Sequence, residues 1–144
     1  MENLVITTHS AEETLKFGAG LAERLKEGDN LLLLGELGAG KTTLLQGLGR
    51  GLGIKRNIIS PTFQLVRKYS LECGKEFVHI DLYRLNSDEE ILHIGWREMT
   101  EGSPIVAVEW ADRAKEIWPD NSSYIINMAV SGKDRRRIEL IEPG

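Results

Sequence analysis

The chain has a single cysteine, Cys73. It cannot close an internal disulfide, and no Cys/His spacing of a metal-binding kind surrounds it. It stands next to Gly74, where it reads as a turn residue. Long apolar runs are missing too. None approaches the ~18 residues that a membrane-spanning helix needs, so no membrane segment is expected. The first residues, Met1-Glu2-Asn3-Leu4, have no basic stretch followed by an apolar one, so no signal peptide is expected. A cytoplasmic, reducing location is the resulting expectation. An excess of basic charge is absent as well. The net charge is −4, which argues against a protein that coats nucleic acid. The one basic cluster, Lys133 with Arg135-Arg136-Arg137, reads as a solvated strand end. There is no repeat, low-complexity tract or linker. What remains is 144 residues, 41% hydrophobic and 28% charged, the composition of a single domain over residues 1–144 that can bury a core.

Apolar patterning alternates between strand and helix periods, which predicts a three-layer α/β fold. Val5-Ile6-Thr7 reads as a short strand. Ser10-Ala11-Glu12-Glu13 is a capping box that starts a helix, and Leu15, Phe17, Leu21 and Leu25 supply its apolar face before Gly28-Asp29 ends the element. Leu31–Leu34 is apolar on both faces, as a central parallel strand requires. A helix is expected from about Lys41 to Leu52. Phe63–Tyr69 and Phe77–Asp81 read as strands joined by Glu72-Cys73-Gly74-Lys75, too short for a crossover and hence antiparallel. Helices are expected over Asp88–Trp96 and Ala111–Trp118, and a buried strand over Ile105–Glu109. Tyr124–Val130 and Arg136–Ile141 read as strands joined by the turn Ser131-Gly132-Lys133-Asp134.

Residues 35–42 read Gly-Glu-Leu-Gly-Ala-Gly-Lys-Thr directly after the strand Leu31–Leu34. This is the Walker A spacing in its required context of strand before and helix after. Glycines allow a backbone that turns successive N–H groups inward onto phosphates. The helix start adds its positive end. Lys41 is placed to reach the β- and γ-phosphates, and the Thr42 hydroxyl to bind Mg²⁺. The expected nucleotide-binding stretch is therefore Gly35, Glu36, Leu37, Gly38, Ala39, Gly40, Lys41, Thr42 and Thr43, in a P-loop NTPase with a mixed, mainly parallel sheet.

Such a site also needs an acidic residue at the end of a neighbouring strand, to hold Mg²⁺ or to polarise the attacking water. Glu109 ends Ile105–Glu109 and Asp81 ends Phe77–Asp81, and both are candidates for catalysis and for the metal. The alternative for each is a carboxylate that caps the following helix. Thr62, in Ser60-Pro61-Thr62-Phe63, lies where switch-type NTPases sense the γ-phosphate; read alone, the tripeptide is a turn. Guanine-specific P-loop proteins carry Asn-Lys-x-Asp on a later strand. None is present, so adenine is expected by elimination.

The sequence resembles the TsaE (YjeE) family of bacterial tRNA threonylcarbamoyladenosine biosynthesis. The residues that carry the resemblance are Gly35–Thr42, Ser60-Pro61-Thr62-Phe63, His79-Ile80-Asp81-Leu82-Tyr83-Arg84 and Glu109-Trp110, in family order and over nearly the whole chain. The P-loop alone is common to many families; the combination is far more specific. The resemblance implies ATP and Mg²⁺ as ligands, with Thr42 and Glu109 at the metal, Asp81 important for hydrolysis and Thr62 in a switch-like loop. It implies that Trp110 lies beside the nucleotide, and that residues around Ser10–Thr14 and Lys133 lie near the base. It also implies two partner proteins, TsaB and TsaD. TsaD transfers the threonylcarbamoyl group to tRNAs that read codons beginning with A, and the ATPase supports turnover of the complex. The acidic chain agrees with tRNA being met only indirectly.

Two other readings stand beside this one. A small-molecule kinase would need an acceptor pocket and usually an arginine-bearing lid, and no lid insertion is evident. A nucleotide-sensing module would bind ATP without relevant hydrolysis.

Overall fold

The computed structural model describes residues 3–36, 38–55, 66–82, 101–110 and 123–144. Strand β1 spans Asn3–Thr8, helix α1 Ala11–Leu21, β2 Asn30–Leu34, α2 Lys41–Gly51, β3 Val66–Ser70, β4 Glu76–Asp81, β5 Ile105–Glu109, β6 Tyr124–Gly132 and β7 Arg135–Ile141. The strands form one sheet in the order β1-β7-β6-β2-β5-β4-β3. Four central strands, β6, β2, β5 and β4, run parallel. Both flanks are antiparallel: β1 with β7 and β7 with β6 on one side, β3 with β4 on the other. The sheet is mixed, as expected. Among the described residues three of its six ladders are antiparallel, and for β3–β4 and β6–β7 the reason is a turn too short to cross the sheet.

β2 sits at the centre because both of its faces are apolar, and Leu31, Leu32 and Leu33 are buried. Side chains of the sheet fall into two clusters, one per face. Leu31, Leu33, Phe77, Ala107, Ile126 and Ile138 pack with Leu44, Leu45 and Leu48 of α2. Leu32, Val78, Ile80, Val106, Val108 and Ile125 line the opposite face. The helices expected over Asp88–Trp96 and Ala111–Trp118, and with them the second helical layer, lie outside the described residues. No described helix is long and apolar enough to cross a membrane.

The capping box operates at α1. Ser10 Oγ accepts the Glu13 N–H at 3.1 Å. The return bond lands one residue early, with Glu13 Oε1 accepting the His9 N–H at 3.0 Å. That backbone bond, with help from the His9 ring, holds the Glu13 carboxyl below its ordinary range. α1 then lies on α2 with almost no side chain between them. A Cβ on Gly18 would collide with the Leu44 carbonyl, and one on Gly47 with the Leu15 carbonyl. This close approach carries the start of α1 to the mouth of the loop that precedes α2.

The expected hairpin turn is tighter than its sequence suggested. β6 continues through Gly132, a register shift between Val130 and Gly132 absorbs one residue, and the strands reverse over Lys133-Asp134. Asp134 takes a left-handed backbone at φ 59°. The Glu72-Cys73-Gly74 turn between β3 and β4 is a short 3-10 helix.

Candidate functional site

The site lies at the carboxyl ends of the parallel strands. The loop Gly35–Gly40 links β2 to α2, and its glycines are conformationally required. Gly35 has φ 151°, and a Cβ there would come within 2.6 Å of the Met128 carbonyl oxygen. Gly40, the N-cap of α2, is left-handed at φ 98° and brings no side-chain cap. The positive end of α2 thus carries no side-chain cap. Ala39 is buried, Glu36, Gly38 and Thr42 are exposed, and Thr43 is half-buried. Leu37 lies outside the described residues.

Lys41 is buried rather than solvent-facing; only 5% of it is exposed. Its Nζ donates to the Gly35 carbonyl at 2.7 Å and sits 3.8 Å from the ring centroid of Trp110. The ammonium is held inside the loop by a carbonyl dipole and an aromatic face, both able to stabilise a cation that has lost water. Trp110 reaches this position through a left-handed backbone, φ 60°, immediately after β5. For a bulky residue that conformation costs about 1 kcal/mol or more, which the contact with Lys41 helps to offset.

Parallel pairing of β2, β5 and β4 sets the carboxylates. Glu109 is in register with Leu33 on one side and with Asp81 on the other. Both acidic side chains therefore share the face that carries α2 and end beside the loop. Asp81 is half-buried and engaged with a neighbour. Glu109 is buried, 4% exposed, and its Oε2 accepts a hydrogen bond from His79 Nε2 at 2.7 Å. His79 is 1% exposed. It had drawn no role from the sequence, where it appeared only as part of a motif. Its position two residues before Asp81, on the same face of a strand beside β5, is the signal that identifies it.

A cleft of about 90 Å³ adjoins the loop. Ser10, Ala11 and Thr14 of the α1 start form one wall and Gly40 and Thr43 another. Ser10 and Thr14, named from the sequence, thus stand together at a cleft beside the loop. The Thr14 hydroxyl also has structural work, since it lies 2.7 Å from the buried Thr8 hydroxyl. Lys133 does not line the cleft. Asp134 and Arg136 do, because the two-residue turn moves Lys133 out to solvent. Thr62 lies outside the described residues.

Chemically, the arrangement offers a glycine cradle, a helix start and a lysine for an anionic ligand. Beside them stand the oxygen donors Thr42, Asp81 and Glu109, which suit a hard cation. Among the described residues no cluster of three or more His, Cys, Asp or Glu could hold a metal by protein groups alone.

The fold and site define an α/β protein with a mixed seven-stranded sheet and a glycine-rich loop at the carboxyl ends of its parallel strands. The profile of the family described as "Threonylcarbamoyl adenosine biosynthesis protein TsaE" matches residues 8–138. The chain belongs to this family. It is 44% identical over 126 residues to the tRNA threonylcarbamoyladenosine biosynthesis protein TsaE of a Nostoc species, covering 85% of this chain and 75% of that one. It is 36% identical over 144 residues to the Bacillus subtilis protein of the same name, covering 100% and 89%. The crystal structure of Bacillus subtilis YdiB superposes with a TM-score of 0.79 at 32% identity, covering 99% of this chain and 87% of that one.

Proposed function

We propose that residues 1–144 form one P-loop ATPase domain that binds ATP with Mg²⁺ at Gly35–Thr43 and hydrolyses it. In this reading the protein serves threonylcarbamoyladenosine modification of tRNAs that read codons beginning with A. It acts in the cytoplasm with TsaB and TsaD, supports turnover of their complex, and meets tRNA only through them. The observation that carries the reading is Lys41, an ammonium stored inside a glycine loop against Gly35 and Trp110.

The loop backbone and the uncapped start of α2 bind the phosphates. Lys41 exchanges the Gly35 carbonyl for β- and γ-phosphate oxygens. The base enters the cleft between Ser10–Thr14 and the Asp134–Arg136 turn. Thr42 and Glu109 hold Mg²⁺, which when bound neutralises charge building on the transferred phosphoryl group. Asp81, in register beside Glu109, contacts the metal or orients the attacking water. Thr62 senses the γ-phosphate, and Phe63 carries the change to the partner.

Hydrolysis by the isolated chain is slow and rises on assembly, since groups supplied by a partner are worth ~10³–10⁵ in rate for P-loop enzymes. ATP turnover is measured for the protein alone and then with TsaB and TsaD, in wild type and Thr62→Ala. Stimulation that Thr62→Ala abolishes supports the full account. Rapid turnover by the lone protein, unchanged by the partners, contradicts it.

A further inference from the structure

The pair His79–Glu109 is buried on both sides, 1% and 5% exposed at the side chains. Glu109 Oε2 can only accept when ionised, so the proton between them belongs to His79 Nε2. The other ring nitrogen, Nδ1, is buried with no hydrogen-bond partner. A neutral ring protonated at Nε2 leaves only a lone pair unsatisfied there. The opposite tautomer would bury an N–H without an acceptor and would place two acceptors against each other at 2.7 Å. The residue directly opposite His79 on β3 is Arg67, whose own Nε is buried without a partner.

We propose that His79 is the positioning residue of the metal site. Its Nε2–H occupies Oε2 of Glu109 and fixes the carboxylate plane, so that Oε1 alone is presented to Mg²⁺ or its water. The inference rests on the assignment of Glu109 to the metal. A glutamate side chain has three torsions free to swing, and binding a cation would otherwise have to order them. With one oxygen tied, the group is pre-set for a single-oxygen contact, which suits the strict geometry of Mg²⁺.

The test compares wild type with His79→Leu, which keeps volume and removes the donor, and His79→Gln, whose amide N–H can replace Nε2–H. Fluorescent ADP binding is measured in EDTA, and Mn²⁺ binding to the protein–ADP complex by electron paramagnetic resonance. His79→Leu is expected to weaken Mn²⁺ ~10–100-fold, the usual effect of losing an outer-shell partner, while metal-free ADP affinity changes less than about threefold. His79→Gln is expected to regain most of the loss. Equal loss with and without metal, or wild-type Mn²⁺ affinity in His79→Leu, overturns the proposal. Glu109→Gln separates the parent reading: if it binds Mn²⁺ as wild type does, Glu109 is not a ligand and both ideas fall. A measurement on the unaltered protein does not depend on the variants folding. Nitrogen-15 NMR of the His79 ring is expected to show Nε2–H with bare Nδ1, and the reverse tautomer overturns the proposal.

Discussion

Replacing Lys41 by methionine keeps the buried stem and removes the charge. In the structure the lysine gains a charged hydrogen bond to Gly35, about 1.5–3 kcal/mol, and a desolvated cation–π contact with Trp110 of about 0.5–2 kcal/mol. Against these stands the several kcal/mol it takes to keep an ammonium 5% exposed. The terms nearly cancel, so Lys41→Met is expected to unfold within about 4 °C of wild type. Binding is another matter. On taking up nucleotide, Lys41 trades one carbonyl for two phosphate oxygens, a surplus of roughly one charged hydrogen bond, or about 2 kcal/mol. ATP affinity should therefore fall ~30-fold. Thermal unfolding and titration with a fluorescent ATP analogue measure the two effects separately. Wild-type affinity in Lys41→Met would refute the phosphate assignment. A fall of more than about 10 °C without nucleotide would show that the lysine's role is structural.

Glu109→Gln and Asp81→Asn should keep nucleotide affinity within about threefold and lose ~10²-fold or more in turnover, because the loop backbone holds the phosphates and the acids serve the transition state; steady-state phosphate release and nucleotide titration decide. Gly47→Ala should destabilise by about 3 kcal/mol or more, since its Cβ meets the Leu15 carbonyl and α1 must move away; a denaturation midpoint equal to wild type would contradict the close helix contact. Ser10→Ala should cost ~1 kcal/mol by removing the N-cap of α1, read by the same denaturation. Glu13 has a depressed pKa in the fold, so its contribution is present above the ordinary carboxyl value of 4.5 and is lost as pH falls through its lower folded value. Glu13→Gln should therefore flatten the acid end of the stability profile.

Local rules made much of this molecule legible. The all-leucine run over Leu31–Leu34 announced a central strand, and it lies in the middle of the sheet because apolar residues on both faces allow no edge position. Gly35–Thr42 announced the loop because the glycines it needs are tied to a fixed spacing. Ser10 and Glu13 announced the cap. What escaped depended on partners distant in sequence. Parallel register between β4 and β5 brings His79 to Glu109 across 30 residues, and no local period reports that. The burial of Lys41 depends on Trp110, which takes a left-handed backbone directly after a strand. A one-residue bulge near Val130 shifts the β6–β7 turn and replaces Lys133 by Asp134 and Arg136 at the cleft.

The central claim is that Gly35–Thr43 holds ATP, with Lys41 as its mobile cation. The most direct measurement is a crystal structure with Mg²⁺ and a non-hydrolysable ATP analogue. The account predicts phosphates enclosed by Gly38–Thr42, the metal beside Thr42 and Glu109, and Lys41 Nζ moved from the Gly35 carbonyl to a phosphate oxygen. A nucleotide bound elsewhere, or Lys41 still on Gly35 with the phosphates in place, would contradict it.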